Sequence, residues 1–429
     1  MSINRRSLLS HAGAAALAAA TIAGPKPSLA QSKKTTLKVQ YAWARTYQPI
    51  MEEIARRFAE QQPNIRVEYV APATDYEDMA QRSLRAAITG GMPDVAFQGI
   101  HRADLLAARE LVVPLDPLIA AQADWPKLGY SPSLLTLAKV KERTYGLPFA
   151  IAIKSIYYNL DLIKRAGGNP DQLPTSWDEI IALQKKVAAL GGGITGLYFD
   201  YYFDDNNFSF HSLVQSQGGS IATSDDKIAF NGAEGMQALR WLRQVGQAGM
   251  VDMTIAQAYQ AFSAGTIGIL VASSSRVAQL TDGAKGRFEV RVTGFPRKEN
   301  GRVPGGGAAA MIHAKDPEKQ QAAWEFVKFA TGPLGATEVV RKSGYIPGNT
   351  LAAESPDLLG RFYAENPNHR VMLEQIPLLT KFYNWPGENS LKIPTVIRDY
   401  LQQVVTLRAT PEEVMPKMTA DVQALLSAA

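Results

Sequence analysis

The chain contains no cysteine among its 429 residues. That absence excludes structural disulfides, and it excludes the lipid-bearing N-terminal cysteine that anchors a bacterial lipoprotein. No apolar run reaches the roughly 18 uninterrupted residues that argue for a membrane-crossing helix. Histidine is sparse as well: beyond the N-terminal segment only His101, His211, His313 and His369 occur, and none stands at metal-ligand spacing from another. There is no His-Glu-x-x-His pair and no Gly-x-Ser-x-Gly nucleophile turn, so no metal or cofactor is expected. Nor is there an excess of one charge. The 45 basic and 40 acidic residues give +5, and setting aside Arg5, Arg6 and Lys26 of the N-terminal segment leaves +2. Such a balance gives no hint of a polyanionic partner, and nucleic acid is not expected.

The first thirty residues are an export signal. Arg5 and Arg6 form its charged start, Ala12 to Ala23 is a small-residue apolar stretch too short to span a bilayer, and Ser28-Leu29-Ala30 supplies a cleavage site. Mature protein then begins near Gln31. The paired arginines, the weakly hydrophobic stretch and Lys26 before the cut point to the twin-arginine route, which moves folded proteins; an ordinary secretory signal is the other reading. Either places the protein outside the cytoplasm, where ATP and NAD are poor candidates for its ligand. A soluble, unanchored exported protein is retained by an outer membrane, so a periplasm is expected.

Removing thirty residues from 429 leaves 399, more than a single core of about 250 to 300 residues comfortably serves, so two domains are expected. Leu37 to Tyr41 alternates as a strand. A helix follows, with Pro49 suited to its first turn and Ile50, Ile54 and Phe58 at intervals of four. Ile65 to Tyr69 alternates again, Asp75 can cap a helix reaching Thr89, and Gly90-Gly91-Met92-Pro93 breaks it before the short strand Asp94 to Phe97. This is a βαβαβ start. The same signals resume near residue 150, with a strand at Ser155 to Asn159 and a helix closed by Gly167 and Gly168. Ser176 and Glu179 then stand at capping-box spacing before Ile180 to Leu190.

These residues also resemble a known family. Arg57-Phe58-Ala59-Glu60, Gly91-Met92-Pro93-Asp94, Tyr145-Gly146-Leu147-Pro148-Phe149, Pro174-Thr175-Ser176-Trp177, Ala323-Trp324-Glu325-Phe326 and Ser343-Gly344-Tyr345-Ile346-Pro347 stand in one order. That order is similar to the extracellular solute-binding proteins of ABC importers. The final third, with Phe362-Tyr363-Ala364-Glu365 and Ile393-Pro394, is most similar to the branch for glycerol 3-phosphate and glycerophosphodiesters.

The resemblance implies an α/β protein of two lobes, maltose-binding-protein-like, with a hinge and an interlobe ligand cleft. Lobe one would comprise 35–150 plus 308–343 and lobe two 151–306 plus 345–429. Crossings fall near Ala150 to Ile153, Gly305 to Ala308 and Gly344 to Ile346. It implies capture of a sugar, polyol or glycerol-phosphate-type solute by a monomer that delivers it to permease subunits with a cytoplasmic ATPase.

For ligand contacts the resemblance nominates Tyr76, Trp177, Ser274, Gly306 and Tyr345. Chemistry supports them: phenol hydroxyls at Tyr76 and Tyr345, a hydroxyl beside a helix start at Ser274, close backbone approach at Gly306. Trp177 also suits the first turn of a capped helix, where packing alone would explain it. The segment Phe199 to Phe208 is dense in aromatics and acids, the mixture that holds hydroxyl-rich solutes, and it adds Asp200 and Asn207. Arg398 is the nearest match to that branch's phosphate-gripping arginine; facing the cleft it would bind an anion, and on the outer helix face it would be a solvated charge.

The chain also departs from the branch. Ile151 and Ala152 stand where serines are expected, and Ile100 and His101 where an acid is expected. These departures favour a sugar, polyol or related glycerol compound over glycerol 3-phosphate itself. Two other classes compete. A periplasmic glycoside hydrolase would need two carboxylates, Asp200 with Asp204 or Asp205; a chaperone-like protein would bind no small molecule.

Overall fold

The computed structural model describes residues 34–202 and 207–427. The signal segment 1–30, its cut near Gln31, and Asp204 and Asp205 lie outside the described residues.

Strand β1 (Thr35–Tyr41), helix α1 (Ala44–Gln61), β2 (Ile65–Tyr69), α2 (Tyr76–Thr89) and β3 (Val95–Gly99) follow one another, with β2 and β3 each parallel to β1. Helix α1 buries Ile50, Ile54 and Phe58 on one face, as their spacing requires. It begins before Pro49, because Trp43 takes a left-handed conformation (φ 57°) that turns the chain into the helix early. Pro49 therefore lies inside the helix and withholds one backbone donor from it. Asp75 caps α2 by accepting from the Asp78 N–H at 2.8 Å, an interaction worth about 1 kcal/mol.

Next come the small hairpin of β4 (Lys139–Val140) and β5 (Arg143–Thr144), and then β6 (Leu147–Ala152), β7 (Lys154–Asn159) and β8 (Thr195–Phe199). After these lie β9 (Ile267–Ser273), β10 (Val290–Gly294), β11 (Val303–Ile312), β12 (Ile346–Pro347) and β13 (Leu379–Lys381). The large sheet runs β12-β6-β11-β3-β1-β2, with β13 paired to the start of β11; the small sheet runs β10-β7-β9-β8. Each has helices packed on it, which gives two α/β lobes.

The chain passes from large to small sheet at Ile153, the lone residue between β6 and β7. Ser274 fastens that crossing: its Oγ accepts from the Ile153 N–H at 3.2 Å and its N–H donates to the Ile153 carbonyl at 2.8 Å. Gly344 packs against the same point, since a Cβ there would lie 2.0 Å from the Ser274 carbonyl oxygen. Both β12 and β13 join the large sheet, although they fall in sequence after Gly344.

Four apolar clusters are found among the described residues, the smallest of them around Ala336, Val340 and Tyr363. Of the others, one lies under the small sheet, one under the large sheet, and a third takes residues from both, including Ile151, Ile153, Tyr157, Leu270, Ala309 and Ile346. Trp177 belongs to the first. The capping box of Ser176 and Glu179 forms as its spacing predicts and starts the helix Trp177–Ala188.

None of the four histidines lies on the surface. All four are buried, and burial lowers each of them, His211 to about 3 and His313 to about 4. In the unfolded chain each titrates near 6.5. Below that pH the unfolded chain binds protons that the folded one refuses, so stability falls as pH falls, by up to about 1.4 kcal/mol per unit for each such group. The loss from His211 is complete only below about pH 3. Urea midpoints measured from neutral pH down to about pH 4 should decline steadily, and His211→Gln should shallow the decline; equal slopes would contradict a neutral buried imidazole.

Candidate functional site

An enclosed cavity lies between the lobes. Its large-lobe wall comes from the turn after β1 (Trp43), the first turn of α1 (Thr46), the start of α2 (Tyr76), His101, and Tyr345 just before β12. Its floor is Ala152 with Gly306 and Gly307 of β11. Across it stand Phe208, at the start of the helix Phe208–Gln215, and Ser273, Ser275 and Arg276, where β9 ends. Phe382 closes one end.

Buried Tyr47 organises the aromatic wall from behind. Its hydroxyl lies 2.8 Å from that of Tyr76, and its ring stacks on Tyr345 with centroids 5.9 Å apart and planes 19° apart. Burial raises the Tyr47 phenol well above its ordinary value, with Tyr345 and Tyr76 adding to the effect, so it stays neutral. Trp43 meets Tyr76 edge-on at 6.2 Å.

The floor requires glycine. Gly307 has φ 98°, and a Cβ there would lie 1.9 Å from the Ala150 carbonyl oxygen; one on Gly306 would lie 3.2 Å from Phe208 Cζ. The lobes therefore approach closely here because side chains are missing.

Among the residues lining this cavity, Arg276 carries the full charge at neutral pH. Its guanidinium sits 5.7 Å from the Tyr259 ring centroid, within cation–π range. His101 is neutral there, because burial lowers it and outweighs the opposing pull of Glu77. The free volume is about 40 Å³, room for water but not for a sugar ring.

An adjoining cavity of about 430 Å³ shares Tyr76 and His101 and is completed by Asp75, Glu77, Tyr202, Ile255 and Arg398. Glu77 accepts from His101 Nε2 at 3.1 Å and from Arg102 Nε at 2.6 Å. Burial raises the Glu77 carboxyl, yet these bonds and charges outweigh it and leave it lowered and ionised. A carboxylate thus reaches this region from α2, next to the His101 that stands where an acid is expected after β3. Hydroxyls likewise come from Ser273 and Ser275 of the opposite lobe, while Ala152 on the floor supplies none.

The nominated residues divide into two groups. Tyr76, Gly306 and Tyr345 come together on the inner cavity, and Arg398 lines the adjoining one, donating to Asp399 from Nε at 3.1 Å. Trp177, Asp200, Asn207 and Ser274 are fully buried and line none of these cavities. Trp177 packs among Phe199, Trp241 and Phe295, with centroids 5.2–6.0 Å away. Ser274 is spent on the Ile153 crossing. Asn207 Nδ2 donates to the Pro394 carbonyl at 2.8 Å. Asp200 accepts from Lys154 Nζ at 2.7 and 2.8 Å and from Ser209 Oγ at 2.8 Å.

Among the described residues of 199–208, Phe208 lines the inner cavity and Tyr202 the adjoining one, and the Lys154 ammonium lies 5.2 Å from the Phe208 ring centroid. A carboxylate with no exposure, held by an ammonium, is also unsuited to attack a glycoside. Sequence reasoning missed Trp43, Thr46, Arg276 and Phe382. Arg276 had a signal, an arginine directly after three serines at a strand end; Phe382 had none.

The model of the bacterial extracellular solute-binding proteins matches residues 53–370. The sn-glycerol-3-phosphate-binding periplasmic protein of Yersinia pestis is 24% identical over 378 residues, covering 84% of this chain and 85% of that one. Its Salmonella typhimurium counterpart is 24% identical over 385 residues, covering 85% and 86%. Among solved structures, UgpB from Mycobacterium tuberculosis in complex with glycerophosphocholine superposes with a TM-score of 0.79 at 22% identity, over 91% of this chain and 98% of that one. The cyclic alpha-maltosyl-1,6-maltose binding protein from Arthrobacter globiformis gives 0.77 at 19% identity, over 92% and 100%.

Proposed function

We propose, on the premise that the chain belongs to the bacterial extracellular solute-binding proteins and serves an ABC importer as its substrate-binding component, that its solute is a small polyol bearing an anionic group. Glycerol-phosphate compounds are the nearest representatives of that class. The observation that carries this reading is Arg276: one cation in a cavity otherwise walled by aromatic rings, hydroxyls and glycine backbone. A guanidinium there can take two oxygens of a phosphate, phosphonate or sulfonate in parallel hydrogen bonds. The rings of Trp43, Tyr76 and Tyr345 suit the C–H faces of a polyol.

Closure follows from the geometry. Arg276 and Phe208 belong to one lobe, and Tyr76, Gly306 and Tyr345 to the other, so a solute touching both sets binds the closed state more tightly and shifts the hinge toward it. We assign the hinge to the point where Ile153, Ser274 and Gly344 meet. The closed form is what permease subunits, driven by a cytoplasmic ATPase, would accept. Among the described residues no helix is long and apolar enough to cross a membrane, and we read the paired arginines of the signal as directing a folded monomer to the periplasm. Tyr76, Gly306 and Tyr345 are our inner contacts and Arg398 an outer one, whereas Trp177, Asp200, Asn207 and Ser274 support them from behind.

A thermal-shift screen of mature protein against glycerol phosphates, phosphodiesters, sugar sulfonates, neutral sugars and polyols tests the reading. Ligand at 100 times its Kd stabilises by about 2.7 kcal/mol, so a clear rise with an anionic compound is expected. A rise with neutral sugars alone would remove the role given to Arg276. Turnover of a glycoside would revive the hydrolase reading, and silence throughout would favour a chaperone.

A further inference from the structure

A third cavity, of about 700 Å³, has Phe382 as a wall in common with the inner one. Helix α3 (Ala103–Ala108) borders it on one side, and residues 220–226 and 381–390 border it on the other. Its sides are tied together: Asp104 accepts from Lys381 Nζ at 3.0 Å and Asn384 Nδ2 at 2.8 Å, and Tyr383 donates to Asp226 at 3.0 Å. Tyr383 and Trp385 stand perpendicular there, with centroids 5.1 Å apart.

Two polar atoms of its lining residues, Trp385 Nε1 and Gln215 Oε1, are buried with no hydrogen-bond partner among the described residues. Both atoms are sealed from the accessible space of the cavity and lie behind its wall, so what faces an occupant is the remaining surface of these and the neighbouring side chains. The charges nearly cancel. Arg109, Lys141 and Lys381 face Asp104, Asp226 and Glu388, while Arg102 is turned to Glu77. Balanced charge disfavours a strongly ionic occupant of either sign. Aromatic faces beside carboxylates, amides and hydroxyls suit a neutral ring rich in hydroxyl groups.

We propose that this cavity is a subsite for a neutral polyhydroxylated ring carried on the same solute whose anionic group meets Arg276. The inference rests on the anionic reading given above. Phe382 is the gate between the two parts. Its ring stacks on the His211 imidazole with centroids 4.2 Å apart and planes 13° apart, and meets Phe208 edge-on at 5.8 Å. For one molecule to occupy both cavities, this ring rotates or the lobes part around it. The inner cavity then reads the charged head, and the outer one selects what is attached to it.

The probes are glycerol 3-phosphate and glycerophosphoinositol, which differ by a neutral cyclitol. Calorimetry on the mature protein should give at least about tenfold tighter binding of the larger probe, a difference of about 1.4 kcal/mol. Trp385→Ala should abolish that advantage and leave glycerol 3-phosphate unchanged. Because Trp385 also packs in the small-lobe core, Ala108→Trp provides a second variant, filling the cavity from an exposed helix end with the same expected loss. Equal affinity for the two probes, or an advantage that survives Ala108→Trp, would overturn the subsite. If neither probe binds, the anionic reading fails. The subsite is then judged by titrating myo-inositol against the Trp385 indole N–H resonance, where a saturable shift supports it and a static resonance rejects it.

Discussion

Replacing Lys154 by methionine should destabilise the protein by about 3–5 kcal/mol, the largest effect expected of any single substitution outside the cores. The ammonium and the Asp200 carboxylate have no solvent exposure and lie 2.7 Å apart. Burial alone drives the Asp200 carboxyl upward, and Lys154 is the main influence opposing it. Without the ammonium, the carboxylate retains the Ser209 hydroxyl and the more distant Arg276 charge against its own desolvation cost. The double variant Lys154→Met/Asp200→Leu should recover most of the loss, because an apolar pair of similar volume costs little there. Urea unfolding of the two single variants and the double variant gives the coupling. A single variant within about 1 kcal/mol of wild type would show that the pair is solvated rather than buried. Ligand affinity should fall alongside stability in the single variant, since Phe208 rests against this ammonium.

Arg276→Ala should weaken binding of glycerol 3-phosphate by about 100-fold, within the roughly 1.5–3 kcal/mol assigned to a hydrogen bond to a charged group. Arg276→Lys should recover only part of the affinity, because an ammonium lacks the planar fork that engages two oxygens together. Stability should drop as well, by at least the roughly 1 kcal/mol of the lost contact with the Tyr259 ring, so affinity is compared only where both proteins are folded. The comparison is Arg398→Ala. Arg398 is 31% exposed and already engaged with Asp399, so screening limits its effect to less than about tenfold. Calorimetric titration of the three variants orders the two arginines; equal losses at both positions, or none at Arg276, would sink the assignment of the inner cavity to the anionic group.

Much of the fold was legible because its signals are local. Asp75 before α2, Ser176 with Glu179 before the helix Trp177–Ala188, and the alternation of Leu37 to Tyr41 each depend on atoms within a few residues, and each forms as read. The site was legible only in part. Tyr76 opens a helix behind its Asp75 cap, Gly306 stands in a run of three glycines and Tyr345 in a Gly-Tyr-Ile-Pro segment, so their approach to a cleft could be read from their neighbours. Trp177 carries the same resemblance but points into a core of aromatics contributed by distant segments, at positions 199, 241 and 295.

Cysteine-free composition, the βαβαβ opening and the ordered family segments were all settled by residues close together in the chain. Tertiary structure alone decided that Asp200 pairs with Lys154 across 46 positions, that Glu77 supplies a carboxylate beside His101, and that Phe382 meets His211 from 171 positions away. The reason is physical. A helix cap or a strand alternation is a property of adjacent backbone, whereas a cleft wall is made by side chains whose neighbours are chosen by strand order, and strand order is a property of the whole sheet.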